Sequence, residues 1–214
     1  MPAVAKSALK PRKTPVQERS TATVEAILQA TIQVLLAAGK EKLTTTQVAA
    51  RAGVSVGTLY QYFPNKSSLL QACLKHHMGE VRLSIEEVCR QYRGAGLLEM
   101  GTALIASYLA AKMRDVKISV ALYAVASDIE GAAIAKAVGD RSLHAVAELF
   151  ATAREGLCKD PELVASVVVA VLNGVSRRLL ESKAPERHFA PLRDELVVLV
   201  HAYLQTCVAS PLMA

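Results

Sequence analysis

The stretch Thr44-Thr45-Thr46-Gln47-Val48-Ala49-Ala50-Arg51-Ala52-Gly53-Val54-Ser55-Val56-Gly57-Thr58-Leu59-Tyr60-Gln61-Tyr62-Phe63-Pro64-Asn65-Lys66 decides the fold. Its threonines offer N-cap hydroxyls, and Val48, Ala49 and Ala52 make a narrow apolar face at helical spacing. Gly53 falls where that helix must end with positive φ, a conformation glycine adopts without penalty. Ser55 then caps a second short helix that buries Leu59 and Phe63, Pro64 stops it, and Asn65 caps the next. Small Ala49, turning Gly53 and large apolar Leu59 suit two helices crossing steeply through a tight turn. The spacing therefore predicts a helix-turn-helix, the arrangement in which the second helix enters a DNA major groove.

The polar side chains fit that expectation. Ser55, Thr58, Tyr60, Gln61 and Tyr62 can form hydrogen bonds but carry no charge, while Val56 and Gly57 keep the start of the second helix slim. Hydroxyls and backbone N–H groups at a helix start bind phosphate, Gln pairs with adenine, and Val touches a thymine methyl. The expected DNA contacts are Thr45, Thr46, Ser55, Val56, Gly57, Thr58, Tyr60, Gln61, Tyr62 and Lys66, with Lys66 on phosphate. An ordinary helical hairpin with a polar outer face is the plain alternative, but it does not require caps, turn and stop to agree in one register.

Leu43-Thr44-Thr45-Thr46, Val48-Ala49, Ala52-Gly53-Val54-Ser55 and above all Gly57-Thr58-Leu59-Tyr60-Gln61-Tyr62-Phe63-Pro64-Asn65-Lys66 resemble the DNA-binding domain of the tetracycline-repressor (TetR) family of bacterial transcription regulators. The resemblance covers residues 20 to 70; beyond them it is architectural only. It implies a homodimer, a variable pocket for a small-molecule inducer, and repression at an inverted-repeat operator that the inducer relieves. The reading helix lacks the Arg and Asn usual at its reading positions in the family, so Thr46 or the basic tail is left to share the reading.

Charge supports a nucleic-acid partner. The chain has 25 Lys and Arg against 19 Asp and Glu, a net +6, and residues 1–66 hold nine of the basic and three of the acidic groups. The whole excess thus lies on the part expected to meet phosphates, as counterion release demands. Cys73, Cys89, Cys158 and Cys207 are far apart without C-x-x-C spacing, which favours free thiols in a reducing cytoplasm. The N-terminus lacks the apolar run of a secretory signal, and the most apolar stretch, Leu163 to Leu172, is half a bilayer span. A cytoplasmic protein with no membrane partner is expected.

The predicted fold class is all-α. Residues 1–16 read as a basic, proline-punctuated tail, 17–66 as the helix-turn-helix domain, and 67–214 as a helical ligand-binding and dimerisation domain. The tail either solubilises the protein or lies along DNA through Lys10, Arg12 and Lys13. A first helix should run from Val16 or Gln17 to Ala38, and a long one from Lys66 to Tyr92 should serve as a rod between the domains. Helices from Leu97 to Met113, from Val116 to Ser127 and from Ala132 to Gly156 follow, the last interrupted near Gly139-Asp140. Asp160-Pro161-Glu162 opens another that continues to Glu181, and Pro191 starts the last, which ends near Cys207.

The last two helices are the expected dimer surface. Ser166, Ala170 and Gly174 repeat every four residues as a small-residue ridge, and Leu196, Leu199 and Tyr203 share a face of the final helix. The alternative is that the ridge packs inside its own subunit; the family resemblance tips the balance toward the interface. Polar groups set in apolar helices, Tyr108, Tyr123, Asp128, His144 and Asn173, are candidate pocket residues, with Asn173 equally placed to set register at the dimer interface. The few aromatics favour a pocket of aliphatic walls for an apolar ligand. No cofactor or metal is expected: adjacent His76 and His77 point to different helix faces, and no phosphate loop or nucleophile elbow occurs. An enzyme is not expected. The competing possibility is a regulator whose second domain only dimerises or binds a protein partner.

Overall fold

The computed structural model describes residues 15–126 and 129–209. They form α1 (Pro15–Lys42), α2 (Thr45–Ala52), α3 (Val56–Tyr62), α4 (Lys66–Gln91), α5 (Leu97–Met113), α6 (Val116–Ala126), α7 (Ile129–Phe150), α8 (Pro161–Leu180) and α9 (Pro185–Gln205). The fold is all-α. Gly39, at φ 78° and ψ 164°, breaks α1 just after Ala38, and the chain resumes as a last turn that carries Lys40 and Lys42.

Two apolar cores hold the helices. The first gathers Ile27, Leu35, Leu43, Val48, Leu59 and Phe63 with Leu69, Leu70, Cys73 and Leu74 from the opening turns of α4. It also contains Leu122 and Val125 of α6, which long-range packing brings onto the N-terminal helices. The second core joins the rest of α4 to α5, α7, α8 and α9 through residues such as Ile85, Leu104, Phe150, Val168 and Val200. The rod α4 therefore belongs to both cores.

Several sequence expectations need correction. α7 runs through Gly139 without a break and stops at Phe150 rather than Gly156. Tertiary bonds hold residues after Phe150 in turns: Arg154 N donates to the Ala95 carbonyl, and Gly94 N donates to Thr152 Oγ1 at 3.0 Å. Glu155 accepts from Leu97 N at 3.0 Å, capping α5, where Gly96 offers no side chain. The last helix begins at Pro185, with Pro191 inside it. Proline lacks an N–H to lose at a first helical position, and Pro191 lies on an exposed part of the helix, as does Arg187 four residues before it, whose carbonyl the proline cannot serve.

The run Leu163 to Leu172 is only part of α8. By length and composition alone, α8 and the Ser20–Lys42 part of α1 are each long and apolar enough to cross a membrane. In the fold one side of α8 is buried through Val164, Ala165, Val168 and Leu172.

Candidate nucleic-acid interface and ligand cavity

Local chemistry builds the reading unit. Thr44 caps α2 by accepting from Gln47 N at 3.2 Å, and Gln47 Oε1 accepts from Thr44 N at 3.0 Å, a reciprocal capping box. Gly53 ends α2 at φ 69°, its N–H shared between the carbonyls of Ala49 and Ala50. Ser55 Oγ accepts from Thr58 N at 3.0 Å to start α3, and Asn65 with Ser68 forms a second capping box at α4. Leu59 is the residue α3 buries, and its 0% exposure anchors the helix.

Thr46, Ser55, Val56, Gly57, Tyr60, Gln61 and Tyr62 are exposed, whereas Thr45, Thr58 and Lys66 are half-buried. Thr58 Oγ1 lies 2.9 Å from Ser55 Oγ, so its hydroxyl serves the cap. Thr45 Oγ1 sits 3.1 Å from Tyr60 Oη, tying α2 to α3 on the outer face. Lys66 Nζ donates to the Glu41 carbonyl at 3.0 Å, joining α4 to the end of α1. Lys66 therefore has a structural partner besides any phosphate. Residues 1–14 of the tail lie outside the described residues.

The second domain contains a cavity with two adjoining lobes. The inner lobe, about 60 Å³, is lined mainly by Met78, Val81, Ile85, Leu104, Val138, Val146, Val169 and Leu172. The outer lobe, about 200 Å³, is lined by Leu74, His77, Leu122, Tyr123 and Ser176 among others. Met78, Tyr108, Lys112 and Asn173 belong to both. Tyr108 Oη donates to Asn173 Oδ1 at 2.8 Å and lies 3.0 Å from Ser176 Oγ. Burial pushes the Tyr108 phenol up to about 12, so it stays a neutral donor.

Ser119 Oγ donates to the Lys112 carbonyl at 2.7 Å, which commits its single proton. His77 Nε2, 3.2 Å from that oxygen, must then be the donor, fixing the tautomer. Burial first, then the nearby Lys112 charge, pushes the His77 pKa down and favours the neutral ring.

Of the expected pocket residues, the structure brings together Tyr108, Tyr123 and Asn173. His144 stands apart: it is exposed, 3.4 Å from Glu148, and lines a separate charged groove with Glu86, Arg90 and Arg93. Two residues before it on α7, Ser142 faces the cavity, and a helix turns most of the way to its opposite face in two residues. Asp128 lies outside the described residues. Lys112 and His77 were missed. Lysine near a helix end reads as a solvent residue, although its setting in Ala110-Ala111-Lys112-Met113 was an available signal.

On the outer surface Ser166, Ala170 and Gly174 are all exposed, beside Leu163 at 55%. On α9 Val198 and Leu199 are 63% and 53% exposed, and Tyr203 is half-buried. Leu196 is corrected: at 2% exposure it packs inward in its own subunit. The inward stripe is Leu196, Val200 and Leu204, received where α5 carries Gly101; a Cβ on Gly101 would come within 2.6 Å of Leu204 Cδ1.

A capped helix-turn-helix joined to a helical domain with an internal cavity defines a two-domain transcription regulator. Residues 97–204 match the model of the tetracyclin repressor-like C-terminal domain, and residues 27–73 match that of bacterial regulatory proteins of the tetR family. The chain belongs to the TetR family. It is 36% identical over 83 residues to the uncharacterized HTH-type transcriptional regulator YvkB of Bacillus subtilis, covering 39% of this chain and 43% of that protein. The match therefore spans less than half the length of that relative. A solved structure assigned to the TetR family from Mesorhizobium loti superposes with a TM-score of 0.71 at 22% identity, covering 89% and 99% of the two chains. SmeT, the repressor of the Stenotrophomonas maltophilia multidrug efflux pump SmeDEF, gives 0.63 at 20% identity, covering 90% and 95%. SmeT in complex with triclosan gives 0.68, with the same identity and coverage. At these identities the likeness is one of fold.

Proposed function

We propose that the chain is a homodimeric repressor that acts in the bacterial cytoplasm and is released from an inverted-repeat operator by a small molecule bound in the second domain. The observation that carries this reading is the double membership of Leu74 and Leu122, which belong to the N-terminal core and also line the outer cavity lobe. A ligand that displaces α4 or α6 must disturb the packing under the reading helix. α6 thus joins α4 as a route between cavity and DNA. SmeT, a fold neighbour that carries triclosan, makes a small-molecule occupant a natural expectation.

The two reading helices of the dimer should sit about 34–36 Å apart, one turn of B-DNA, or at a multiple when several dimers bind. Linkage then makes the effect reciprocal: a coupling of about 1–3 kcal/mol changes ligand affinity about 5–150-fold on operator binding. Calorimetric titration of a cavity ligand, with and without operator, measures it. Equal affinity in both cases would transfer the role to a protein partner of the second domain.

Base reading is assigned to Gln61 and Val56. Gln61→Ala or Val56→Ala should change the preferred bases in a selection from randomised duplexes. Lys66→Ala should weaken every sequence alike, by loss of a phosphate contact and of the tie to Glu41. An unchanged preference in both helix variants would remove those two residues from direct readout.

A further inference from the structure

From the charge lining the cavity we propose that its ligand is an apolar molecule with one carboxylate, held by Lys112. The proposal rests on the cavity being the regulatory site. Three basic side chains other than histidine line the two lobes: Arg82, Arg177 and Lys112. Arg82 is paired with Glu86, and Arg177 Nε reaches Glu181 at 2.9 Å while its guanidinium sits 5.6 Å from the centre of the Tyr123 ring. Lys112 has no such carboxylate among the described residues; its Nζ lies 5.8 Å from the centre of the Tyr108 ring.

No Asp or Glu lines either lobe among the described residues. The neighbouring His77 favours its neutral form, and the Tyr108 phenol is neutral as well. An ammonium facing apolar walls without a counter-ion is costly, and burial pushes the Lys112 pKa down accordingly. A ligand carboxylate supplies the missing charge. Asn173 offers a second donor: its Oδ1 already accepts from Tyr108, which leaves its amide N–H groups for the ligand.

Size narrows the class. An apolar cavity of about 150 Å³ admits benzene, and the lobes of about 60 and 200 Å³ adjoin along Lys112. Only the outer lobe reaches that size, so it suits the body of a one-ring aromatic acid or a short acyl chain, held against Leu74, Leu122 and Leu180.

The test uses the whole chain and matched pairs: benzoate with benzamide, 4-tert-butylbenzoate with 4-tert-butylbenzamide, and octanoate with octanamide. Affinities are measured by calorimetry, with melting temperature as a second readout. At least one carboxylate should bind tenfold or more tightly than its amide. Lys112→Met should abolish that preference while leaving amide binding in place, and Lys112→Arg should retain it. Lys112→Gln serves as the neutral variant if the methionine variant does not fold. If no acid outbinds its amide tenfold, or if the preference survives in the neutral variant, the carboxylate assignment is overturned and the cavity is left as a site for neutral ligands. If none of the six compounds binds, the carboxylate assignment is overturned, while the small-molecule reading is decided separately by the titration with and without operator.

Discussion

Gly174→Leu should give a folded monomer that has lost its operator. In the single subunit a Cβ at Gly174 meets nothing within 4 Å, so added bulk there projects outward and leaves the subunit's own packing alone. In the proposed dimer the same position lies on the small-residue ridge of α8 where a second copy approaches. Overpacking a close helix contact costs about 1–3 kcal/mol per site, and a two-fold axis applies the cost twice. Joining two reading heads raises avidity by about 10²–10⁴-fold, so operator affinity should fall by about that factor when they part. Sedimentation velocity and circular dichroism separate a folded monomer from a misfolded chain. An intact dimer of the variant would move the interface off the ridge.

The second large effect is expected from Leu59→Ala. Leu59 is fully buried and is the residue with which the seven-residue α3 enters the first core. Truncating such a leucine costs about 2–5 kcal/mol. Local unfolding of α3 should follow, because few other apolar contacts hold so short an element. DNA binding should disappear at physiological salt while the second core keeps its helical signal and its ligand affinity. Amide hydrogen exchange should show lost protection concentrated in 45–63. Uniform loss along the whole chain would mean that the two cores unfold together.

What could be read from the sequence follows the range of the interactions. The caps at Thr44, Ser55 and Asn65 and the turn at Gly53 are made by residues within four positions of one another, so their types and spacing specify them. The Asp160 cap with Pro161 opens α8 for the same reason. The end of α7 at Phe150 was not legible, because the bonds from Thr152, Arg154 and Glu155 reach partners some 58 residues away. On α9, Leu192-Leu196-Leu199-Tyr203 and Leu196-Val200-Leu204 are both plausible apolar stripes. Only the fit of Leu204 beside Gly101 decides that the second faces inward. The cavity was legible in part. Tyr108 and Asn173, from α5 and α8, meet as polar groups set in apolar helices often do, whereas the companion role of Lys112 depends on four helices, α4, α5, α7 and α8, converging.

The α6 residues Leu122 and Val125 have a consequence for modular exchange. Regulators of this design invite construction of hybrids, in which the operator-reading head of one is grafted onto the sensor of another. Cutting this chain at residue 66 would strip the head of Leu69, Leu70, Cys73 and Leu74, and also of the α6 pair that covers it. A successful graft has to carry the opening turns of α4 and present a matching α6 surface. In this chain the head and the second domain share that surface, so a graft should keep operator binding only where the two α6 faces are compatible.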